Sequence, residues 1–254
     1  MKVFAFAFLF AKQSWHLCID FVPLQARTDK LIGAMKVVNM SETPSVLGQY
    51  LSELRDANVQ QDRMRFRRNL ERIGELQAYE ISKGLSYKET TVQTPLAPCK
   101  CQCLSESVVL ATIFRAGLPL HQGFLNVFDK AENAFVSAYR YYKDKECREV
   151  GVHVEYMASP NLKGKTLIIV DPMLAKGYSL ELAVDAFLKN GTPHRIILAS
   201  VIAAQEGVDH IKKCFGDRED VELWCAAIDP VLNERSYIVP GLGDAGDLAY
   251  GGKL

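Results

Sequence analysis

The sequence predicts an α/β protein built on an open, mainly parallel β-sheet that is flanked by helices. Beyond residue 105 the apolar runs are short and rich in β-branched residues, and helical stretches lie between several of them. Strands that are buried on both faces read as continuous apolar runs, and their alternation with helices indicates parallel crossovers. Hydrophobic residues make up 48% and charged residues 24%, which is the ordinary mix of a globular protein with a sizeable core.

The first 34 residues are predicted to form an extension outside the core. The stretch "MKVFAFAFLFA" is similar to a weak signal peptide, but it is too short to span a bilayer and no clear cleavage site follows. A second start-like stretch, "MKVVNMSE", begins at Met35. We therefore expect an extension over residues 1–34 and one domain over residues 35–254.

Two helices are predicted at the start of this domain, over residues 45–56 and about 62–83. The longer helix places Phe66, Leu70, Ile73 and Leu76 along one face. Five arginines lie near its start: Arg63, Arg65, Arg67, Arg68 and Arg72. Like charges on a helix are usually solvated, which favours a solvated or subunit-contacting face, and an anion or effector site is the alternative.

Charge and cysteine content restrict the partners and the compartment. Lys plus Arg and Asp plus Glu both count 30, so the net charge is +0. The protein therefore has no overall electrostatic field that would attract nucleic acid or an acidic membrane. Seven cysteines, an odd number, indicate reduced thiols and hence a cytoplasmic protein. On a strand, Cys99, Cys101 and Cys103 would share one face, but a zinc site needs a fourth ligand, which favours incidental thiols.

The later strands are predicted in "VVLATIF", "AFVSAY", "KTLIIV", "RIILASVIAA" and "VELWCAAI", with helices over about residues 117–128, 179–190 and 205–214. Ligands of such sheets bind at the carboxyl ends of the strands. Arg115 follows the first run, where its guanidinium can bind phosphate or pair with a sheet-end carboxylate. Arg140 follows the second run and begins a charged segment that can close over a polyanion, or it belongs to a plain hairpin arm.

The stretch "VDPMLAKGYS" follows the third run. Asp171 stands at the predicted strand end, where a carboxylate can accept hydrogen bonds from sugar hydroxyls. Residues 175–179 would present backbone N–H groups at a helix N-terminus, which favours a phosphate. Ser179 is the expected N-cap of that helix. An ordinary strand–turn–helix connection is the alternative.

The C-terminal tail, "YIVPGLGDAGDLAYGGKL", contains a formal G-x-G-x-x-G at Gly241–Gly246. It does not fit a dinucleotide fingerprint, because that motif opens a βαβ unit and this sequence stops at Leu254. Glycines in such a tail let backbone groups approach a flat ligand closely. A pyrimidine has an acceptor–donor–acceptor edge that backbone groups can match, and Asp244 adds a carboxylate beside it.

With "RAGLP", "AYR", "VDPMLAKGYS" and "YIVPGLGDAGD" in this order, the sequence resembles the uracil phosphoribosyltransferase family from roughly Met35 to the C-terminus. The resemblance implies transfer of phosphoribosyl from phosphoribosyl pyrophosphate to uracil, which gives UMP and pyrophosphate in pyrimidine salvage. It also implies Mg²⁺ as cofactor and a homo-oligomer.

The resemblance further implies the roles of individual residues. Arg115 and Arg140 would bind the pyrophosphate side. The ribose and its 5′-phosphate would be held by Asp171, Pro172, Met173, Leu174, Ala175, Lys176, Gly177, Tyr178 and Ser179. Uracil would be held by Ile238, Gly243, Asp244 and Ala245, with Asp244 also reaching phosphoribosyl pyrophosphate. Asp244, Arg115 and Asp171 would be the catalytic residues. Because Pro172 stands where other phosphoribosyltransferases often have a second acid, the substrate would supply most of the Mg²⁺ ligands.

The phosphate loop departs from the family pattern at two positions. The family usually reads "ATGGS", with a threonine at the position of Lys176 and a small residue at that of Tyr178. Tyr178 is expected to add bulk where the backbone passes the phosphate, and to disturb a conformation with positive φ. Two interpretations follow: a working transferase, or a catalytically weak homologue that binds nucleotide or uracil as a sensor or partner.

Overall fold

The computed structural model describes residues 35–142 and 150–252. The strands are β1 (Lys36–Asn39), β2 (Tyr87–Gln93), β3 (Pro98–Leu104), β4 (Val108–Ile113), β5 (Glu132–Tyr142), β6 (Val150–Ala158), β7 (Thr166–Leu174), β8 (Arg195–Ala204), β9 (Val221–Asp229), β10 (Val231–Leu232) and β11 (Ile238–Val239). The helices are α1 (Val46–Arg55), α2 (Arg63–Ser82), α3 (Leu118–Val127), α4 (Tyr178–Leu188), α5 (Gln205–Phe215) and α6 (Ala245–Tyr250). The predicted extension over residues 1–34 lies outside the described residues, so the boundary at Met35 stays a prediction.

The central sheet has seven strands in the order β1-β9-β8-β7-β4-β5-β6. Every neighbouring pair is parallel except β5 and β6, which are antiparallel. The prediction of an open, mainly parallel sheet is therefore confirmed. In the middle of the sheet, β4 is buried along its whole length, and β8 along all but its first residue. This burial explains why both strands read as unbroken apolar runs.

Alternate residues of the strands contribute to two separate cores, one on each face of the sheet. On one face, α1, α2 and α3 pack with Leu110, together with Ile238 and Leu242 of the tail. On the other face, α4 and α5 pack with Val109 and Ala111. The period of two along a strand thus sends neighbouring apolar residues to opposite layers.

The long helix α2 confirms the helix predicted over residues 62–83. Asp62 caps its N-terminus by accepting hydrogen bonds from the Met64 and Arg65 backbone N–H groups at 3.0 and 3.1 Å. Several of its arginines bond to neighbouring groups. Arg65 pairs with Glu53 at 3.0 Å, and Arg67 donates to the Ala249 carbonyl at 2.8 Å. Two of the arginines at the start of α2 therefore contact α1 and the tail.

The three alternating cysteines lie on β3, which pairs with β2 in a separate two-stranded sheet. The Sγ atoms of Cys99 and Cys101 are 3.9 Å apart, as expected for side chains on one face of a strand. The hydrogen bond with Cys99 raises the pKa of the Cys101 thiol. Among the described residues, no helix combines the length and apolar character needed to cross a membrane.

Candidate functional site

The turn between β7 and α4 is made by Gly177. Strand β7 continues to Leu174, four residues beyond the end of the apolar run that predicted it. Gly177 then adopts a left-handed conformation with φ of +88° and forms the N-cap of α4. An L side chain is strained in this region, so the glycine is what allows the chain to enter the helix here. The predicted N-cap at Ser179 is wrong, because the N-cap is Gly177, two residues earlier, and the helix begins at Tyr178.

A cavity of about 50 Å³ lies in this turn. It is lined by Asp171, Met173, Leu174, Ala175, Gly177, Ser179, Leu180 and Ser200. Ser200 was missed from the sequence because it lies inside the apolar strand β8, although a lone hydroxyl in such a run is a usable signal. It is the register partner of Asp171 across the β7–β8 pair. A carboxylate and two hydroxyl side chains therefore line this cavity at the helix N-terminus.

Tyr178 does not line this cavity. Its ring lies edge-on to His210 with 4.5 Å between the ring centroids, and the residue is 45% exposed. The expected disturbance of a positive φ at Tyr178 is wrong, because the left-handed residue is Gly177 and Tyr178 is already helical. Lys176 is half-buried and does not line the cavity either. Neither departure from the family pattern fills the cavity.

Arg115 follows β4, in a turn that packs closely against the sheet. A Cβ added to Gly117 would lie 2.8 Å from the Ile113 carbonyl oxygen, so a larger residue would displace this turn. The Arg115 guanidinium Nη2 lies 3.3 Å from an Asp247 carboxylate oxygen and donates to the Gly251 carbonyl at 3.2 Å. The predicted alternative, pairing with a carboxylate, is observed, but the carboxylate belongs to the tail. Arg115 Nε is buried without a hydrogen-bond partner in the described chain.

Arg140 lies within β5 and does not follow it. Its register partner is Val152 of the antiparallel strand β6. The position predicted for Arg140 after a strand is therefore wrong, and the hairpin arm is what the backbone shows, because the apolar pattern ends before the strand does. The charged residues 143–149 lie outside the described chain.

The tail forms a short strand followed by a short helix. Ile238 is buried and pairs with Leu232 across β10 and β11. Gly243 is exposed with φ of +91°, and Ala245 is buried. Asp244 caps α6 by accepting a hydrogen bond from the Asp247 backbone N–H at 3.0 Å. The residues predicted to hold uracil thus combine a buried apolar support with an exposed backbone.

A buried ion pair that was missed from the sequence fixes the beginning of the tail. Asp229, 5% exposed at the end of β9, accepts two hydrogen bonds from Arg55 at 2.8 and 2.7 Å. Asp229 also accepts from the Gly241 backbone N–H at 2.8 Å, and Arg55 donates to the Gly241 carbonyl at 3.0 Å. Because both backbone groups of Gly241 are bound, its position follows that of the ion pair.

These contacts anchor the tail to the carboxyl ends of two strands, which lie along one side of the sheet, here called its edge. Gly241 is bound at the end of β9, and Asp247 and Gly251 are bound to Arg115 after β4. In the sheet, β8 and β7 lie between those two strands. The structure therefore brings Arg115 and the tail to the edge that carries the Gly177 turn.

An open, mainly parallel sheet with helices on both faces defines an α/β protein, and a glycine turn at a helix N-terminus is a common phosphate-binding feature of such folds. The family model described as uracil phosphoribosyltransferase matches residues 40–252. The chain belongs to the uracil phosphoribosyltransferase family.

Two relatives agree with this assignment, and one solved structure has a similar fold. The chain is 54% identical over 220 residues to a uracil phosphoribosyltransferase from Porphyromonas gingivalis, covering 87% of this chain and 100% of the relative. It is 36% identical to a uracil phosphoribosyltransferase from Thermococcus gammatolerans, covering 86% and 94%. The structure of the AQ2163 protein from Aquifex aeolicus is similar with a TM-score of 0.74 and 31% identity, covering 86% and 99%.

Proposed function

We propose that this chain transfers phosphoribosyl from phosphoribosyl pyrophosphate to uracil, giving UMP and pyrophosphate. The observation that carries the proposal is the shared sheet edge, where the tail typical of the family is anchored beside the Gly177 turn. One substrate needs a phosphate site and the other needs a flat, backbone-lined site. A single edge with both features is suited to joining them.

The Gly177 turn is proposed to hold the 5′-phosphate and the ribose. Backbone N–H groups at the start of α4 point toward the turn, and the helix dipole favours an anion there. Asp171 would accept hydrogen bonds from the ribose hydroxyls, with the Ser179 and Ser200 hydroxyls lining the same cavity. Residues Pro172 to Lys176 would position this loop through the backbone. Tyr178 would support it from the side of His210.

The tail is proposed to hold uracil through backbone groups of Gly243 to Ala245, above the buried side chain of Ile238. The Asp244 carboxylate already orders α6 by capping it. The same carboxylate would reach the second substrate and keep both reactants aligned, which contributes a large part of the rate in reactions of two bound substrates.

Arg115 and Arg140 are proposed to bind the pyrophosphate. Displacement at the anomeric carbon builds positive charge on the sugar and negative charge on the leaving group. A fixed cation close to that negative charge stabilises the transition state by about 3–4 kcal/mol. Arg115 is held by Asp247 and Gly251 of the tail, so its position depends on the tail being in place.

Mg²⁺ is proposed as a cofactor that is held mainly by phosphoribosyl pyrophosphate. The donor set fits this arrangement, because Asp171 lines the cavity and a buried proline, Pro172, follows it where a second acid would give another ligand. Mg²⁺ is usually bound by one or two carboxylates together with substrate phosphates and water. When bound, it would neutralise charge on the pyrophosphate.

The proposed setting is the cytoplasm, and the proposed assembly is a homo-oligomer, with no nucleic-acid or membrane partner. The odd number of cysteines supports the setting, and the net charge of +0 argues against a nucleic-acid or acidic-membrane partner. The resemblance to the family supports the assembly.

UMP formation from uracil and phosphoribosyl pyrophosphate tests the function directly. The parent chain should form UMP, and Gly177→Ala should lower kcat/KM for phosphoribosyl pyrophosphate by at least about 100-fold, since it misplaces a set of fixed donors. A Cβ at Gly177 would lie 2.8 Å from His210 Cδ2, in a residue with φ of +88°.

Gly164→Ala is the matched control, because Gly164 has φ of +71° and nothing within 4 Å of an added Cβ. It introduces a similar backbone strain away from the site, and activity should survive. A parent chain that binds both substrates and forms no UMP would support the alternative interpretation, a catalytically weak binding homologue.

A further inference from the structure

A second group of chemically reactive side chains lies between α4 and α5. Glu181 is in the first turn of α4, and His210 and Cys214 are one helical turn apart on α5, so they share a face. One ligand-type atom from each of the three lies within 4.8 Å of the other two. None of the three has a role in the transfer reaction proposed above.

One atom of this cluster, His210 Nε2, faces both other groups. It lies 2.8 Å from Glu181 Oε2 and 3.5 Å from Cys214 Sγ. In a tetrahedral zinc site with bonds of about 2.05 Å to nitrogen and 2.3 Å to sulfur, these two ligand atoms are separated by about 3.6 Å. The nitrogen–sulfur distance already has this value. The carboxylate oxygen needs to move outward by about 0.6 Å to reach the corresponding separation, and its side chain is 32% exposed.

We propose that Glu181, His210 and Cys214 bind one Zn²⁺ ion, with water as the fourth ligand. A thiolate together with an imidazole selects a borderline or soft transition metal over Mg²⁺ or Ca²⁺. Three protein ligands with one open position form a common zinc arrangement. Cys214 is exposed, which gives the ion a path to the site.

Binding of the ion requires Cys214 to lose its thiol proton. Burial and the negative charge of Glu181 raise the pKa of the Cys214 thiol, with Asp185 acting in the same direction and Lys213 in the opposite one. The metal-free thiol is therefore protonated at neutral pH. Zn²⁺ replaces that proton, which passes to the solvent, and His210 binds through Nε2 with its own proton on Nδ1.

The cluster lies directly beside the phosphate turn. His210 Cδ2 would be 2.8 Å from a Cβ on Gly177, and the ring of Tyr178 rests on the His210 ring. An ion at His210 would fix the imidazole that lies beside Gly177 and contacts the Tyr178 ring. This site is distinct from that of the Mg²⁺ proposed for the transfer reaction, whose ligands are oxygens only.

Competition between the purified whole chain and a chromophoric chelator for Zn²⁺ tests the proposal. The parent should bind one equivalent of Zn²⁺. Cys214→Ser and His210→Gln should each weaken the affinity for Zn²⁺ by more than about 100-fold, since even outer-shell changes cost about 10- to 100-fold. Glu181→Gln should weaken the affinity for Zn²⁺ less, because the glutamine amide oxygen can still bind the ion, although less strongly than a carboxylate. Binding should release one proton per ion from the parent and fewer from Cys214→Ser.

Cys103→Ser is the matched control, because Cys103 lies on the β3 hairpin outside the cluster. This variant should still bind one equivalent of Zn²⁺ with the affinity of the parent. With Co²⁺ in place of Zn²⁺, the parent should show a thiolate-to-cobalt absorption band that Cys214→Ser lacks. A parent that binds no ion, or a Cys214→Ser variant that binds as tightly as the parent, overturns the proposal.

Discussion

Asp229→Asn should destabilise the fold strongly, because it removes the charge that neutralises Arg55. The Asp229 side chain is 7% exposed and that of Arg55 25%, so solvent screens this pair weakly. Two charge-assisted hydrogen bonds at about 1.5–3 kcal/mol each are at stake, about 3–6 kcal/mol together. Breaking one partner of a buried ion pair typically costs about 3–5 kcal/mol. We predict a loss of about 3–5 kcal/mol in the free energy of unfolding.

Urea unfolding of the whole chain at pH 7, followed by circular dichroism, measures this loss. Asp220→Asn is the control, because Asp220 pairs with Arg218 at 2.6 Å with both side chains about one-third exposed. Such a surface pair contributes only about 0–1 kcal/mol. The KM for uracil should also rise in Asp229→Asn, since the asparagine has a single acceptor oxygen for the Gly241 N–H and the two Arg55 donors that now share the carboxylate.

A loss below about 1 kcal/mol, equal to that of the control, would refute the argument that this ion pair is buried and fixes the tail. A double variant, Arg55→Met with Asp229→Leu, separates charge from packing. Replacing both partners with apolar residues removes the unpaired charge and is often neutral. The double variant should therefore be more stable than Asp229→Asn, while uracil binding stays weak.

Further predictions concern the tail, the loop, the core and the extension. Asp244→Ala should abolish UMP formation and cost only about 1 kcal/mol as a lost helix cap, and near-normal turnover would contradict its assignment. Tyr178→Gly should lower stability by about 0.5–1 kcal/mol without raising kcat/KM, because its ring does not line the cavity; a clear gain in kcat/KM would show that the ring obstructs the loop. Burial raises the pKa of Cys225 to about 12, so the native thiol should resist a thiolate-trapping reagent at pH 8, and fast reaction would contradict its burial. Since the unfolded thiol ionises first, this group should also lower stability as pH rises above 9, an effect that Cys225→Ala removes. Deletion of residues 1–34 should change the free energy of unfolding by less than about 1 kcal/mol, and a larger loss in urea unfolding would place the segment in the core.

The amino-acid sequence by itself determined the class of fold, and it identified the segments that form the candidate site. Continuous apolar runs such as β8 can be buried on both faces only in a covered sheet, and parallel strands put their carboxyl ends at one edge. The loop from Asp171 to Ser179 and the glycines of the tail could be identified because their chemistry is local. Each depends on residues that are neighbours in the chain.

Tertiary structure alone decided how these segments are held. The Arg55–Asp229 pair joins residues 174 positions apart, and Arg115 meets Asp247 across 132 positions. The N-cap of α4 is Gly177, and the ring of Tyr178 contacts His210. Both features depend on how α4 packs against α5, which the local sequence does not show. Local patterns show which residues can bind a phosphate or a base, but contacts between residues that are distant in the sequence form only when the chain folds around its core.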